Sequence, residues 1–269
     1  MKYLRFVILF NLCLCAGAPR ISIITSVYNG DEFIDGFLAD ITRQTIFDQC
    51  ELIMINANSP GNEEKVIKQY MKQYPNIIYL KLDHDPGLYG VWNMAIKMAA
   101  SEYITNANLD DRLKPNCYEV HAKYLDENPE IDLVYSGCYK TTIPNETFEQ
   151  NSHNKVIPHS QFEFNKIDLL KRWIPYPNNH PMWRKSMHSN YGLFNEVYTV
   201  AGDMEMWIRA AVFGNAQFKK ITGFYGLYYL NPTGLSTAPN TLDHIEKKKI
   251  MKNYRRMGKE VFEGVEYLE

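Results

Sequence analysis

Cysteine is scarce in this 269-residue chain, and the five that occur make no pattern. Cys13 and Cys15 sit near the N-terminus, while Cys50, Cys117 and Cys138 stand singly, with no CxxC pair and no metal spacing. That usage argues against a zinc centre or a disulfide framework, and the last three read as reduced packing residues. Net charge is scarce too. With 29 basic and 31 acidic residues the balance is −2, and no stripe of aromatic and basic residues appears before the C-terminal region, so nothing draws a nucleic-acid backbone. Long apolar runs are missing: the 14 residues between Arg5 and Arg20 are too few for a membrane span of about 20. A glycine-rich basic loop after the first strand is also lacking, since Tyr28-Asn29-Gly30-Asp31 is not one, which argues against a nucleotidyltransferase.

The N-terminus is nevertheless distinctive. Lys2 and Arg5 precede the apolar run Phe6 to Cys15 and then Ala16-Gly17-Ala18, the layout of a secretory signal peptide, although Pro19 is a poor neighbour for cleavage and a buried strand is the other reading. Residues 1–19 are therefore read as a signal-like or hydrophobic leader. It would direct secretion if it acts as a signal, and otherwise leaves a cytoplasmic or membrane-associated protein.

After the leader, hydrophobic period and turn residues alternate regularly. Ile21 to Val27 and Glu51 to Ile55 read as buried strands, Ile77 to Leu80 and Tyr103 to Thr105 as two more. Between them, helices are expected from Asp31 as cap through Ile41, from Glu63 to Tyr74, and from Val91 to Ala100. Four strands alternating with three helices predict an α/β fold with a parallel sheet, the nucleotide-binding half of a doubly wound architecture. Ligands of such sheets bind outside the carboxyl ends of the strands. The loops there hold Tyr28-Asn29, Asn56 to Asn58, Gly87 to Asn93 and Asn108 to Asp111. Asp110 and Asp111 at that mouth suit a magnesium or manganese ion, which takes one or two protein carboxylates and leaves other positions to water and phosphate. The pair also reads as an ordinary turn that caps the next helix.

Beyond Pro115 a helix to about Asn128 and a strand over Asp132 to Cys138 are expected. Thr141 to Asn165 lacks periodicity and is read as a long loop closing over a second substrate. Within Ile174 to Arg184, His180, Trp183 and Arg184 offer sugar stacking or phosphate contact, or Trp183 belongs to the core. In Ala201 to Ala211, Asp203 is placed to cap a helix buried through Met206, Trp207, Ala210 and Ala211. Two strands, Phe218 to Ile221 and Phe224 to Leu230, follow. The chain closes with a helix from Asp243 to Met257 carrying Lys247, Lys248, Lys249, Lys252, Arg255 and Arg256. That run is either a solvated face or a peripheral contact with an anionic membrane.

In this order, Ser22-Ile-Ile-Thr-Ser-Val-Tyr-Asn29, Pro86-Gly-Leu-Tyr-Gly-Val-Trp-Asn-Met-Ala-Ile96, Asn108-Leu-Asp-Asp111 and Gly202-Asp-Met-Glu-Met-Trp-Ile-Arg209 resemble the family-2 glycosyltransferases of the GT-A type. The resemblance runs from about Ile21 to Thr237. It implies a single GT-A-like domain over 20–238, with a mostly parallel, Rossmann-like nucleotide-binding half at 20–112 and an irregular acceptor half at 113–238, followed by the basic helix in 239–269. It also implies transfer of a sugar from a nucleotide-diphosphate donor to an acceptor hydroxyl with inversion, assisted by Mn²⁺ or Mg²⁺. On these residues, Tyr28 would lie beside the base, Asn56 at its edge, Gly87 and Asn93 along the ribose and phosphates, and Asn108 in the acidic motif. Asp110 and Asp111 would hold the metal. Asp203 matches the family's catalytic base, with Glu205 the next carboxylate. The implied partners are a nucleotide-sugar donor and a glycan or lipid-linked acceptor. Three departures stand out: Asn108 and Asn56 replace acidic residues, and Trp92 stands where arginine is common. A sugar- or nucleotide-binding protein that no longer transfers is the alternative.

Overall fold

The computed structural model describes residues 17–172, 177, 180–257 and 268, so the leader through residue 16 and most of Ile174 to Asn179 lie outside it. Strands β1 (Ile21–Val27), β2 (Cys50–Asn56), β3 (Ile77–Lys81) and β4 (Tyr103–Asn106) lie in the order β3-β2-β1-β4 and pair in parallel, as expected. Their crossovers are helices α1 (Ile34–Thr42), α2 (Glu63–Met71) and α3 (Leu88–Met98). β2 is buried along its whole length, which is why it reads as a continuous apolar run rather than as an alternation. The cap assigned to Asp31 does not form. Gly30 O accepts from the amides of Phe33 and Ile34, while Asp31 Oδ1 accepts from Asn62 N at 2.7 Å.

The second half is less regular. It contributes β5 (Arg112–Leu113), helix α4 (Cys117–Glu127), β6 (Leu133–Thr141), α5 (Lys166–Arg172), β7 (Met182–Arg184), α6 (Met187–Tyr191), α7 (Gly202–Ile208), β8 (Phe218–Tyr229) and α8 (Asp243–Met257). The sheet continues from β4 as β7-β6-β8-β5, with β7 antiparallel to both β4 and β6. The expected fifth strand therefore does not join β4 directly. The two strands expected after Phe218 are one: β8 pairs with β6 throughout and absorbs the interruption as a bulge, skipping from Ile221 opposite Ser136 to Phe224 opposite Gly137. Gly223 allows it, because its φ of 107° is closed to most side chains.

Helices cover both faces of the sheet. Phe37, Leu38, Ile67, Tyr118 and Leu125, from α1, α2 and α4, fill one apolar layer. Val91, Ile96, Leu169, Trp207, Ile250 and Tyr254, from α3, α5, α7 and α8, fill the other. Trp183 lies in this second layer with Nε1 donating to His188 Nε2 at 2.9 Å, so it belongs to the core. Arg184 is committed as well, donating to Leu125 O, Ile131 O and Glu102. Both side chains are thus engaged within the protein. The three cysteines within the described residues are buried and free, and burial pushes the Cys50 thiol up to about 12. α8 turns its apolar stripe, Ile250, Met251 and Tyr254, into the core. Most of the face that an interfacial helix would sink into lipid is thus covered by protein, while Ile245, Lys248 and Lys252 are exposed.

Candidate active site

The carboxyl edge of β1, β2 and β4 is built from three loops stitched together by side chains. After β1, Tyr28 is 52% exposed and Asn29 takes a left-handed φ of 49°, which asparagine tolerates better than most residues. Asn29 N donates to Ser59 Oγ at 2.8 Å and Gly30 N to Glu63 Oε1 at 2.6 Å. Ser59 Oγ in turn donates to Glu63 Oε1, so Ser59 and Glu63 lock the first loop to the second. Tyr28 is left at the rim with its ring accessible.

Two expected binding residues are committed inside the protein. Asn56, expected at the edge of the base, is buried, and its Oδ1 accepts from Ser59 N at 2.7 Å. Asn93 is also buried. Its Nδ2 donates to Phe194 O and Glu196 Oε1, both at 2.8 Å, and its Oδ1 accepts from Phe194 N at 2.9 Å. Asn93 is a clamp between α3 and the chain at 194–196 rather than a lining of the phosphate path. Gly87 is required by its backbone, since φ 81° with ψ 166° is a region reserved for glycine. Its N–H is already given to Asp85 Oδ1 at 2.8 Å, so that amide is not aimed at a phosphate.

The adjacent aspartates have different surroundings. Asp111 is buried: Oδ1 accepts from Tyr229 N at 3.1 Å and Oδ2 from Asn108 Nδ2 at 3.0 Å. Burial first, then the charge of Asp110, push its carboxyl well above the usual aspartate range. Asp110 is half-buried, with Oδ2 accepting from Asn231 Nδ2 at 2.9 Å. Arg112 turns its guanidinium away, toward Leu109 O, Asp111 O and Asn145 Oδ1. His180 packs behind the pair with Nε2 3.9 Å from Asp111 Oδ2. Burial pushes His180 down to about 4, so it is a neutral wall rather than a phosphate contact. These hard oxygen donors fit a divalent cation whose other positions are filled by water and diphosphate. Among the described residues, no three His, Cys, Asp or Glu side chains converge into a complete metal cage.

Asp203 stands in the first turn of α7, not at its cap, which is Ala201. Its Oδ1 accepts from Met204 N at 2.7 Å and lies 3.2 Å from the Tyr89 hydroxyl, which donates to Val200 O at 2.7 Å. Tyr89 belongs to the first turn of α3, so this contact brings Asp203 to the loop edge. Gly202 makes the approach possible, since a Cβ there would meet the Tyr89 ring at 2.6 to 2.9 Å. Burial raises the Asp203 carboxyl, partly offset by the Met204 N–H and by Lys247. Glu205 is not an equivalent carboxylate. It is fully buried, with Oε1 and Oε2 taken by Arg209 at 3.0 and 2.9 Å and Oε1 also by the Tyr254 hydroxyl.

The cap of α7 comes from elsewhere. Glu246 on α8 accepts from the backbone amides of Thr199, Val200 and Ala201 at 2.8 to 2.9 Å, holding the turn that delivers Asp203. The sequence hides this role, because Glu246 sits among lysines; only the Glu205 and Arg209 spacing of four residues is legible as a pair. Replacing Glu246 by alanine leaves buried donors without a partner and is expected to cost about 3 kcal/mol. The measurements are a melting curve and turnover, with turnover falling more than donor affinity because the turn carrying Asp203 loosens.

Comparison with known proteins places the chain in a family. The family model "Glycosyl transferase family 2" matches residues 22–191. An uncharacterized glycosyltransferase of Methanocaldococcus jannaschii is 26% identical over 240 residues, covering 88% of this chain and 78% of that one. The minor teichoic acid biosynthesis protein GgaB of Bacillus subtilis is 30% identical over 167 residues, 56% of this chain but only 18% of that one. Among solved structures, S. aureus TarS in complex with UDP-GlcNAc shares the fold with a TM-score of 0.69 at 16% identity, over 87% of this chain and 64% of that one. The mannosyltransferase PcManGT of Pyrobaculum calidifontis, solved with GDP-Man and Mn²⁺, gives 0.60 at 15% identity, over 81% and 59%. With the GT-A fold shared and more than half of its length matched by the family model, the chain belongs to glycosyl transferase family 2 and is a glycosyltransferase.

Proposed function

We propose that the protein moves a hexosyl or N-acetylhexosaminyl group from a nucleoside-diphosphate sugar to an acceptor hydroxyl with inversion, in the synthesis of a cell-surface polysaccharide. The observation that carries this reading is Asp203, a half-buried carboxylate at the loop edge whose proton affinity is raised by burial. A general base needs such a group, with its proton affinity tuned toward the working pH. In the reaction, the acceptor oxygen bonds to the anomeric carbon from one side as the bond to the diphosphate oxygen breaks on the other. The acceptor proton passes to Asp203, and the bonding pair leaves with the diphosphate. A single displacement of this kind inverts the carbon. Mg²⁺ or Mn²⁺ held by Asp110, with Asp111 behind it, would supply positive charge for the departing diphosphate. Tyr28 would stack on the base.

Relatives named for teichoic acid biosynthesis and for poly(ribitol-phosphate) glucosylation support an acceptor from the cell envelope, and the neighbours solved with UDP-GlcNAc and GDP-Man support a nucleotide-sugar donor. The test is a panel of UDP- and GDP-sugars with Mn²⁺ or Mg²⁺, read by melting temperature and by donor hydrolysis. A true donor at a hundred times its Kd stabilises by about 2.7 kcal/mol, a rise of roughly 5 to 10 °C for a chain of this size. A folded protein that answers no donor in either readout would overturn the proposal.

A further inference from the structure

Resting on the glycosyltransferase reading, we infer that the polar cavity between the end of β6 and the segment at 141–155 is an acceptor subsite for an alditol or sugar phosphate. The cavity, of about 280 Å³, is walled by Lys140, Thr141, Glu146, Asn151, Lys155 and Leu230 among others. At about 30 Å³ per water that is room for one polyol unit, not for a folded partner.

The wall is built rather than draped. Lys140 N donates to Lys155 O at 2.6 Å, Leu230 N donates to Thr141 O at 2.9 Å, and Asn145 is tied to Arg112 Nη2 and Glu32 O. Glu149 pairs with Arg43, just past the end of α1, at 2.9 Å, so the segment expected to close over a substrate is tethered at several points. The cavity also adjoins the chemistry. Leu230 in its wall lies between Tyr229, whose N–H is given to Asp111, and Asn231, whose Nδ2 is given to Asp110.

Its unpaired groups define the ligand. Lys140 and Lys155 stand side by side on paired backbone, a repulsive arrangement that an anion between them relieves, and among the described residues neither makes an ion pair. Two side chains about nine-tenths buried have atoms without a partner: Glu146 Oε2, an acceptor, and Asn151 Nδ2, a donor. The orientation of Asn151 is set by its Oδ1, which accepts from Asn154 N at 3.0 Å, so the NH2 is the unpaired end. Both atoms are closed over in the empty cavity; neighbouring hydroxyls of a ligand would satisfy them as the wall shifts, one donating to Glu146 and one accepting from Asn151, while a phosphate meets the lysines. A bare phosphate would answer the lysines but set its charge against Glu146. A neutral polyol would answer Glu146 and Asn151 but leave the lysines unmatched.

The test uses the full chain and three probes, sn-glycerol 3-phosphate, glycerol and inorganic phosphate, titrated by calorimetry, with UDP titrated separately. Glycerol phosphate is expected to bind at least about tenfold more tightly than either other probe, and Lys140→Ala with Lys155→Ala to weaken it by about tenfold or more. Glu146→Gln, which keeps the shape and removes the charge, should narrow the preference for glycerol phosphate over inorganic phosphate. UDP affinity should stay within twofold in all variants. Glycerol phosphate binding no better than glycerol, or unchanged in the double variant, would overturn the subsite while leaving UDP binding and the transferase reading intact. If the double variant does not fold, the exposed single replacement Lys155→Glu carries the same expectation.

Discussion

Asp203→Asn is expected to lower kcat by about 10² to 10⁴, the usual worth of a general base, while leaving UDP affinity within twofold. Asparagine keeps the oxygen that accepts from Met204 N and faces the Tyr89 hydroxyl, so the local fold survives. Its amide has no useful basicity. Burial raises the Asp203 carboxyl, so in the wild type kcat should fall on the acid side with an apparent pKa above that of a free aspartate. The sign for stability follows from linkage. A raised folded-state pKa gives stability that is present below the unfolded value and is lost as pH rises through the folded one. At neutral pH the ionised, desolvated carboxylate therefore works against folding, and the Asp203→Asn variant should melt at the same temperature or slightly higher. The checks are a kcat profile against pH, a donor titration and a melting curve. Transfer within threefold of wild type would remove Asp203 as base, and Glu205 cannot replace it, being locked to Arg209.

Alanine at Asp110 and at Asp111 should give opposite results. Asp110 is half-buried and makes one hydrogen bond to the Asn231 amide, so Asp110→Ala should change the melting temperature by no more than about 2 °C, the span of a surface substitution. It should erase the gain in UDP affinity that Mn²⁺ provides, expected at about 5- to 150-fold as for typical coupled sites. In Asp111→Ala two effects oppose. Removing a carboxyl whose ionised form is disfavoured by burial returns some stability, but Tyr229 N and Asn108 Nδ2 lose their acceptor and the buried space is left empty. The second effect should win by about 2 kcal/mol, or roughly 4 to 8 °C. Calorimetric titration of UDP with Mn²⁺ and with EDTA, beside melting curves for both variants, decides the matter. Undiminished Mn²⁺ dependence in Asp110→Ala would take the cation away from this loop.

The N-terminal half, through β4, was legible because its signals are local. β1 to β4 and α1 to α3 each follow from a hydrophobic period bounded by turn residues, and the parallel order follows from their alternation. β5 and β7, of two and three residues, are too short to show a period, and the latter separates strands that a simple reading would join. β8 broke into two in the sequence because Thr222-Gly223 looks like a turn, whereas the pairing with β6 carries the chain across it. At the site, position was legible and commitment was not. Asp110, Asp111 and Asp203 could be placed at strand and helix ends, but the internal use of Asn93 depends on Phe194 and Glu196, about a hundred residues later. Glu246 was invisible for the same reason.

The grip of Glu246 on Thr199 to Ala201 also bears on how members of such a family are recombined. A crossover placed between α7 and α8 would inherit Asp203 from one parent and the anchor of its turn from the other, with Glu205 facing a foreign residue in place of Tyr254. Chimeras joined near residue 191, where the family match ends, would instead pass on α7, β8 and α8 as one heritable block, and those are the ones expected to remain active.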